Sequence, residues 1–238
     1  MADPWRVVPL LEGTGYSSSS TLLTNATHHV VVDTGLSIQQ GDLLAALKAL
    51  HLDPADIDIV INTHLHVDHC LNNSIFTRAE IFLSKAEWHW ASAFYQAIFS
   101  AHDILTAATE FYPELPSYHL SPRMVRNVTR LARIFWRVER VGSPDRFRWL
   151  EHMPLPEGLE VVQTPGHTPH HVSIRVASAG TIVAGDAVLA EDLDAKVKTM
   201  PPFSKDLYLR SRDQVMHAGL TVVPGHGKAF TPKASLVR

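Results

Sequence analysis

The chain is predicted to be an α/β protein. Short β-rich runs at both ends of the sequence alternate with helical periodicity, and a run of histidines and carboxylates follows directly on a buried apolar strand. Its 238 residues are 45% apolar and 19% charged, enough to bury a sizeable core and without the bias that marks disorder. The expected organisation is one domain over residues 1–238, carrying a helical insertion at about residues 85–140.

Residues 5–11, 18–23 and 28–32 read as strands separated by Gly, Ser and Asn turn signals, the third ending in Asp33-Thr34-Gly35. Residues 38–50 place Ile38, Leu43, Leu44, Leu47 and Leu50 at roughly helical spacing, predicting an amphipathic helix that His51-Leu52-Asp53-Pro54 ends. A buried strand over 57–61 runs into Asn62-Thr63-His64-Leu65-His66-Val67-Asp68-His69, so these ligand types lie past a strand's C-terminal end, where α/β folds place their chemistry. A short strand at 80–83 follows.

The insertion reads as two long helical stretches. In 86–111 only Glu87, Asp103 and Glu110 are charged, while Trp88, Trp90, Phe94, Tyr95, Ile98, Phe99 and Leu105 supply bulk on nearly every side. His89, Ser92, Gln96, Ser100 and His102 interrupt it too often for a membrane span, leaving a lid, a buried support or a homodimer surface through Trp88, Trp90, Phe94 and Phe99. The stretch 122–141 sets Met124, Val128, Leu131, Phe135 and Val138 against Arg123, Arg126, Arg130, Arg133, Arg137 and Arg140. That arginine row is read as a solvated face, with phosphate or carboxylate contacts as the alternative. Strands then return at 159–163, 171–176, 181–184 and 220–223, with a helix over 205–218. His167, Asp186 and His226 are each expected just past a strand.

Cys70 is the only cysteine, so a disulfide within the chain and a thiolate metal site are both excluded, which fits a reducing compartment and a cytoplasmic location. The opening residues lack the basic start and continuous apolar run of a secretory signal, so export is not expected. A formal charge of −3 gives no bulk attraction to nucleic acid or anionic membrane. The fifteen histidines are the feature to follow.

His64, His66, Asp68 and His69 gather three imidazoles and a carboxylate within six positions, a set that suits zinc, and also iron or manganese. His64 and His66 can reach one ion from a loop, whereas Asp68 and His69 begin a helix and point to a neighbouring position. His167 would complete the first site and His226 the second, with Asp186 bridging both through its two oxygens. Two such ions lower the pKa of a shared water and polarise a carbonyl or phosphoryl oxygen, which makes hydrolysis the natural chemistry.

The segment from Thr63 to His69 resembles the signature of the metallo-β-lactamase fold hydrolases. The likeness continues in order through Asp33-Thr34-Gly35, Pro165-Gly166-His167-Thr168, Gly185-Asp186 and Pro224-Gly225-His226-Gly227. It implies a four-layer αβ/βα sandwich with a dinuclear site at one edge between two sheets. Relatives that reduce oxygen at a di-iron centre carry Glu where His66 stands, and the best-known zinc β-lactamases carry Cys where Asp186 stands. The run 165–171 and the helical insertion are closer to the lactonase and esterase branch, although Leu189 occupies a position where those lactonases often have Tyr.

The expected function is therefore hydrolysis of a small ester, lactone or thioester by hydroxide held between two metal ions, Asp68 and Asp186 being the catalytic carboxylates. The alternatives are a phosphodiesterase or nuclease of the same fold, β-lactamase-type amide hydrolysis, and a mononuclear iron oxidoreductase; a metal-stabilised scaffold is the reading that involves no catalysis. Asp33 is expected to orient a ligand from behind. One or both of His170 and His171 are expected to hydrogen-bond within the strand, the alternative being proton donation to the leaving group; Cys70 is expected to act as a small buried apolar group, and Tyr112, Tyr118 and Tyr208 are candidates for touching substrate.

Overall fold

Alternation along the strands generates the layers. A computed structural model describes residues 3–118, 138–189 and 201–232, together with Arg123, Asn127 and Arg130. In β3 (His29–Val32), Val30 and Val32 face one apolar cluster and Val31 another. The split recurs in β4 (Ile59–Ile61), with Ile59 and Ile61 against Val60, and in β5 (Glu80–Leu83), with Phe82 against Ile81 and Leu83. Successive side chains leave a strand on opposite faces, so each of these strands is sealed on both sides, as its uninterrupted apolar sequence requires.

Among the described residues the first sheet runs β1 (Arg6–Leu11), β2 (Ser20–Thr24), β3, β4, β5 and β6 (Phe147–Trp149), antiparallel through β3 and parallel thereafter. The second orders β10 (Thr221–His226), β9 (Thr181–Leu189), β8 (Val172–Val176) and β7 (Leu159–Gln163), with β10 parallel to β9 and the other pairs antiparallel. Val30, Val32, Ile59, Ile61 and Phe82 meet Leu159, Ile174, Val176, Val183 and Val223 between the sheets. Leu43 and Leu47 of α1 (Gln40–Ala49) cover the outer face of the first sheet. Val215, from the helix Lys205–Met216, covers the outer face of the second with Ile182 and Val222. Helix, sheet, sheet and helix make the four-layer α/β sandwich.

Several local expectations need correction. In α1 only Leu43 and Leu47 are buried; Ile38 lies in the preceding turn and is 74% exposed, and Leu44 and Leu50 are also exposed. The single helix expected over 86–111 is two, α3 (Lys85–Ser100) and α4 (Ile104–Phe111). The break falls at Asp103, whose carboxylate accepts from the amides of Leu105 and Thr106 and starts a new helix. The stretch 122–141 lies largely outside the described residues; Arg123, Arg130 and Arg140 are exposed, and Val138–Val141 is helical. Phe94 is buried, Trp90 stacks on it, and Trp88 packs on Phe147, so of the four proposed dimer aromatics only Phe99 is exposed. No helix among the described residues is long and apolar enough to cross a membrane.

Candidate metal centre

Four strands bring the predicted ligands together. His64 and His66 lie on the loop leaving β4, and Asp68 and His69 on the single helical turn α2 (Val67–Cys70) that follows. His167 sits between β7 and β8, and His226 is the last residue of β10. Asp186 lies inside β9, not past its end as expected, because β9 continues to Leu189 through an irregularity at Gly185. Gly185 has φ 51°, and a Cβ there would lie 2.7 Å from the Thr63 hydroxyl, so a residue without a side chain allows the strand to bend against the β4 loop.

The ligand atoms of His64, His66, His167 and Asp186 lie within 4.8 Å of one another, as do those of Asp68, His69 and His226. Asp186 joins the two groups. Its Oδ2 is 3.1 Å from His167 Nε2, and its Oδ1 is 3.3 Å from His69 Nε2 and 3.4 Å from His226 Nε2.

Hydrogen bonds behind the rings settle which nitrogen of each faces the cluster. Asp33 Oδ2 accepts from His69 Nδ1 at 2.8 Å, and the carbonyl of Thr14 accepts from His226 Nδ1 at 2.5 Å. The Thr63 hydroxyl donates to Asp33 Oδ2 and so accepts from His64 Nδ1 at 3.1 Å. In all three rings Nε2 is the nitrogen turned toward the centre. His66 is reversed: its Nε2 meets the Tyr112 hydroxyl at 2.6 Å and its Nδ1 lies 2.9 Å from His167 Nε2. Tyr112 is fully buried, so its part is to support His66, not to touch substrate as the sequence suggested.

The residues fit bound divalent metal. Buried Nε2 atoms of His64 and His69 and Oδ1 of Asp186 make no hydrogen bond, an arrangement costing about 1–3 kcal/mol per atom unless a cation engages it. Burial, then His69 and His66, hold His64 well below its ordinary pKa; burial, then His167, lowers His66 to about 3. Both rings are neutral and ready to donate lone pairs. Burial opposes charge on His69 as well, but Asp186, Asp68 and Asp33 outweigh it and raise that ring to about 10. The carboxylates thus draw positive charge to this half of the cluster, which a coordinated cation supplies in place of protons.

Residues 13–226 match the metallo-beta-lactamase superfamily. The chain belongs to that family. A probable metallo-hydrolase of Methanocaldococcus jannaschii is 42% identical over 201 residues, covering 83% of this chain and 70% of that protein. Metallo-beta-lactamase domain-containing protein 1 of Xenopus laevis is 28% identical over 218 residues, covering 90% and 72%. A solved dizinc quorum-quenching lactonase, in complex with its product N-hexanoyl-L-homoserine, superposes with a TM-score of 0.63 at 17% identity, covering 88% of this chain and 72% of the lactonase. As a metallo-β-lactamase superfamily member with this His/Asp cluster, the chain is a metal-dependent hydrolase.

His171 is buried and hydrogen-bonded to the Thr164 hydroxyl, and Cys70 is buried, both as expected. Glu87 is the buried charge that sequence reasoning passed over. It stands three residues after the N-cap Ser84 of α3, a position from which Glu ordinarily reaches back to the cap. Here it turns inward, accepting from the Thr168 hydroxyl at 2.9 Å and the Leu65 amide at 3.4 Å. Burial raises its pKa from 4.5 to about 7 against these hydrogen bonds. Below pH 4.5 both folded and unfolded states carry the proton; between 4.5 and 7 only the folded state keeps it, so stability falls as pH rises, by about 3 kcal/mol in all. Glu87→Gln lacks this term. In urea unfolding the stability of the wild type relative to Glu87→Gln should therefore drop by about 3 kcal/mol from pH 4.5 to 7.5, and a pH-independent difference would contradict it.

Proposed function

We propose that the chain hydrolyses a small ester, lactone or thioester at a dinuclear centre, zinc being the expected metal, with iron and manganese as the alternatives. His64, His66, His167 and Asp186 would hold one ion, and Asp68, His69 and His226, with Asp186 beside them, would hold the second. The observation that carries this reading is the division of Asp186, one oxygen on each group. Bound there, the ions act as Lewis acids and bring the pKa of a coordinated water down to about 7.

The protein contributes orientation and proton handling. Asp33, Thr63 and Thr14 keep three Nε2 atoms aimed at the centre. The greater exposure of Asp68, 18% against 4% for Asp186, supports a role for it as the carboxylate that exchanges protons with the substrate. Trp90 lies edge-on to Tyr112 and to Phe203, and the Phe203 amide donates to the carbonyl of His167. Of these, the partly exposed Trp90 and Phe203 offer an apolar surface near the His167 loop that suits an organic acyl group better than a phosphodiester. The fold shared with the lactonase supports the same class, while Leu189 argues against acyl-homoserine lactones in particular.

The test is a panel of aryl esters, lactones, thioesters and an aryl phosphodiester with zinc-loaded protein. At least one acyl substrate should turn over faster than the phosphodiester, chelation should remove the activity and zinc restore it, and His64→Ala should abolish it with the fold intact. Faster phosphodiester cleavage, or an unchanged rate in His64→Ala, would count against the reading.

A further inference from the structure

Three side chains of the segment after β5 grip Leu65 and His66 in the loop that presents His64 and His66. Glu87, in the first turn of α3, accepts from the amide of Leu65 and ties it to Thr168 on the His167 loop. Tyr95, two turns further along α3, donates its hydroxyl to the carbonyl of Leu65 at 3.2 Å. Tyr112, just past α4, places its hydroxyl 2.6 Å from Nε2 of His66. All three are buried, and the rings of Tyr95 and Tyr112 both pack on Phe94, so the grips share one apolar platform. Among the described residues, the supports of the other group come from elsewhere: Ser18 donates to the carbonyl of Asp68, Asp33 after β3 accepts from His69, and Thr14 after β1 accepts from His226.

We propose that α3 and α4 form a clamp that sets the affinity of the first metal site alone, with Tyr112 as the positioning residue for His66. This rests on the dinuclear reading above. The reasoning is geometric: His66 is the ring that must present Nδ1, and an acceptor at Nε2 selects the tautomer with its proton there, leaving Nδ1 free. Leu65, held at both its amide and its carbonyl, fixes the backbone between the two histidines, so neither can swing from the cluster without breaking a buried hydrogen bond.

The experiment is metal titration of chelator-treated full-length protein with zinc against a competing chelator, repeated with cobalt for its visible spectrum. Wild type should take up two ions in two resolvable steps. Tyr112→Phe, which removes only the hydroxyl, should weaken one step about 10- to 100-fold and change the cobalt spectrum of that step, leaving the other within about twofold. Ile98→Ala, a buried residue of α3 outside the three grips, serves as the packing control: it should lower the melting temperature with both steps unchanged. Equal weakening by Ile98→Ala and Tyr112→Phe would reduce the clamp to general packing, and two wild-type steps in Tyr112→Phe would overturn it while leaving the dinuclear reading intact. Failure of the wild type itself to bind two ions would remove both.

Discussion

Asp186→Ala is expected to lower kcat/KM by about a thousand-fold or more, and to leave the protein unable to hold two ions together. Its two oxygens are divided between the groups: Oδ2 stands by His167, and Oδ1 by His69 and His226. The carboxylate is buried, and although burial alone would favour its protonation, His226, His69 and His167 hold its pKa well below the ordinary carboxylate range. These neighbours thus favour its charged form. Removing it deletes one donor from each site and the negative charge that draws two cations into one cavity. His226→Ala makes the comparison, since it takes one nitrogen from one site and leaves the four-residue group complete. Elemental analysis and steady-state kinetics on both variants decide the matter. An Asp186→Ala protein that retains two ions and a rate within tenfold of wild type would show that the carboxylate is not the bridge.

The parts of this centre that were legible in the sequence are those in which spacing or strand position determines direction. His64, His66, Asp68 and His69 lie within one loop and one helical turn, so their convergence follows from local geometry. The buried parallel strands were equally plain, since runs such as Ile59–Ile61 must be covered on both faces. The supports were harder. Thr14 acts through its backbone carbonyl, which carries no residue signature, and reaches His226 across more than two hundred positions of chain. Tyr112 was visible only as a polar aromatic, and what makes it a partner of His66 is the packing of Trp90 and Phe94 around its ring. The strand Phe147–Trp149 was missed because three residues on a sheet edge show no periodicity. Ile38 and Leu44 misled by spacing, since a helix on the outer face of a sheet needs only the stripe formed by Leu43 and Leu47.

The second large effect is expected from Asp33→Asn, a substitution that keeps shape and removes charge. Asp33 has φ 55°, a left-handed conformation that Asn also tolerates, so backbone strain does not enter the comparison. The carboxylate accepts three hydrogen bonds: from the Thr63 amide at 2.9 Å on Oδ1, and from the Thr63 hydroxyl and His69 Nδ1, each at 2.8 Å, on Oδ2. An amide has only one oxygen, so in either orientation its NH2 confronts a donor. If it faces His69, relief requires that ring to move its proton to Nε2, the atom 3.3 Å from Asp186 Oδ1 that must carry a lone pair to bind metal. The affinity of the site built on Asp68, His69 and His226 should fall about 10- to 100-fold, with a loss of about 2–3 kcal/mol of folding stability from the unsatisfied buried donors. Nitrogen NMR of labelled histidine in the zinc-loaded variant should show the altered protonation of His69. The opposite pattern, in which stability falls while metal affinity and the His69 tautomer stay as in wild type, would make Asp33 a turn-shaping residue only, its carboxylate holding Thr63 and not the ligand.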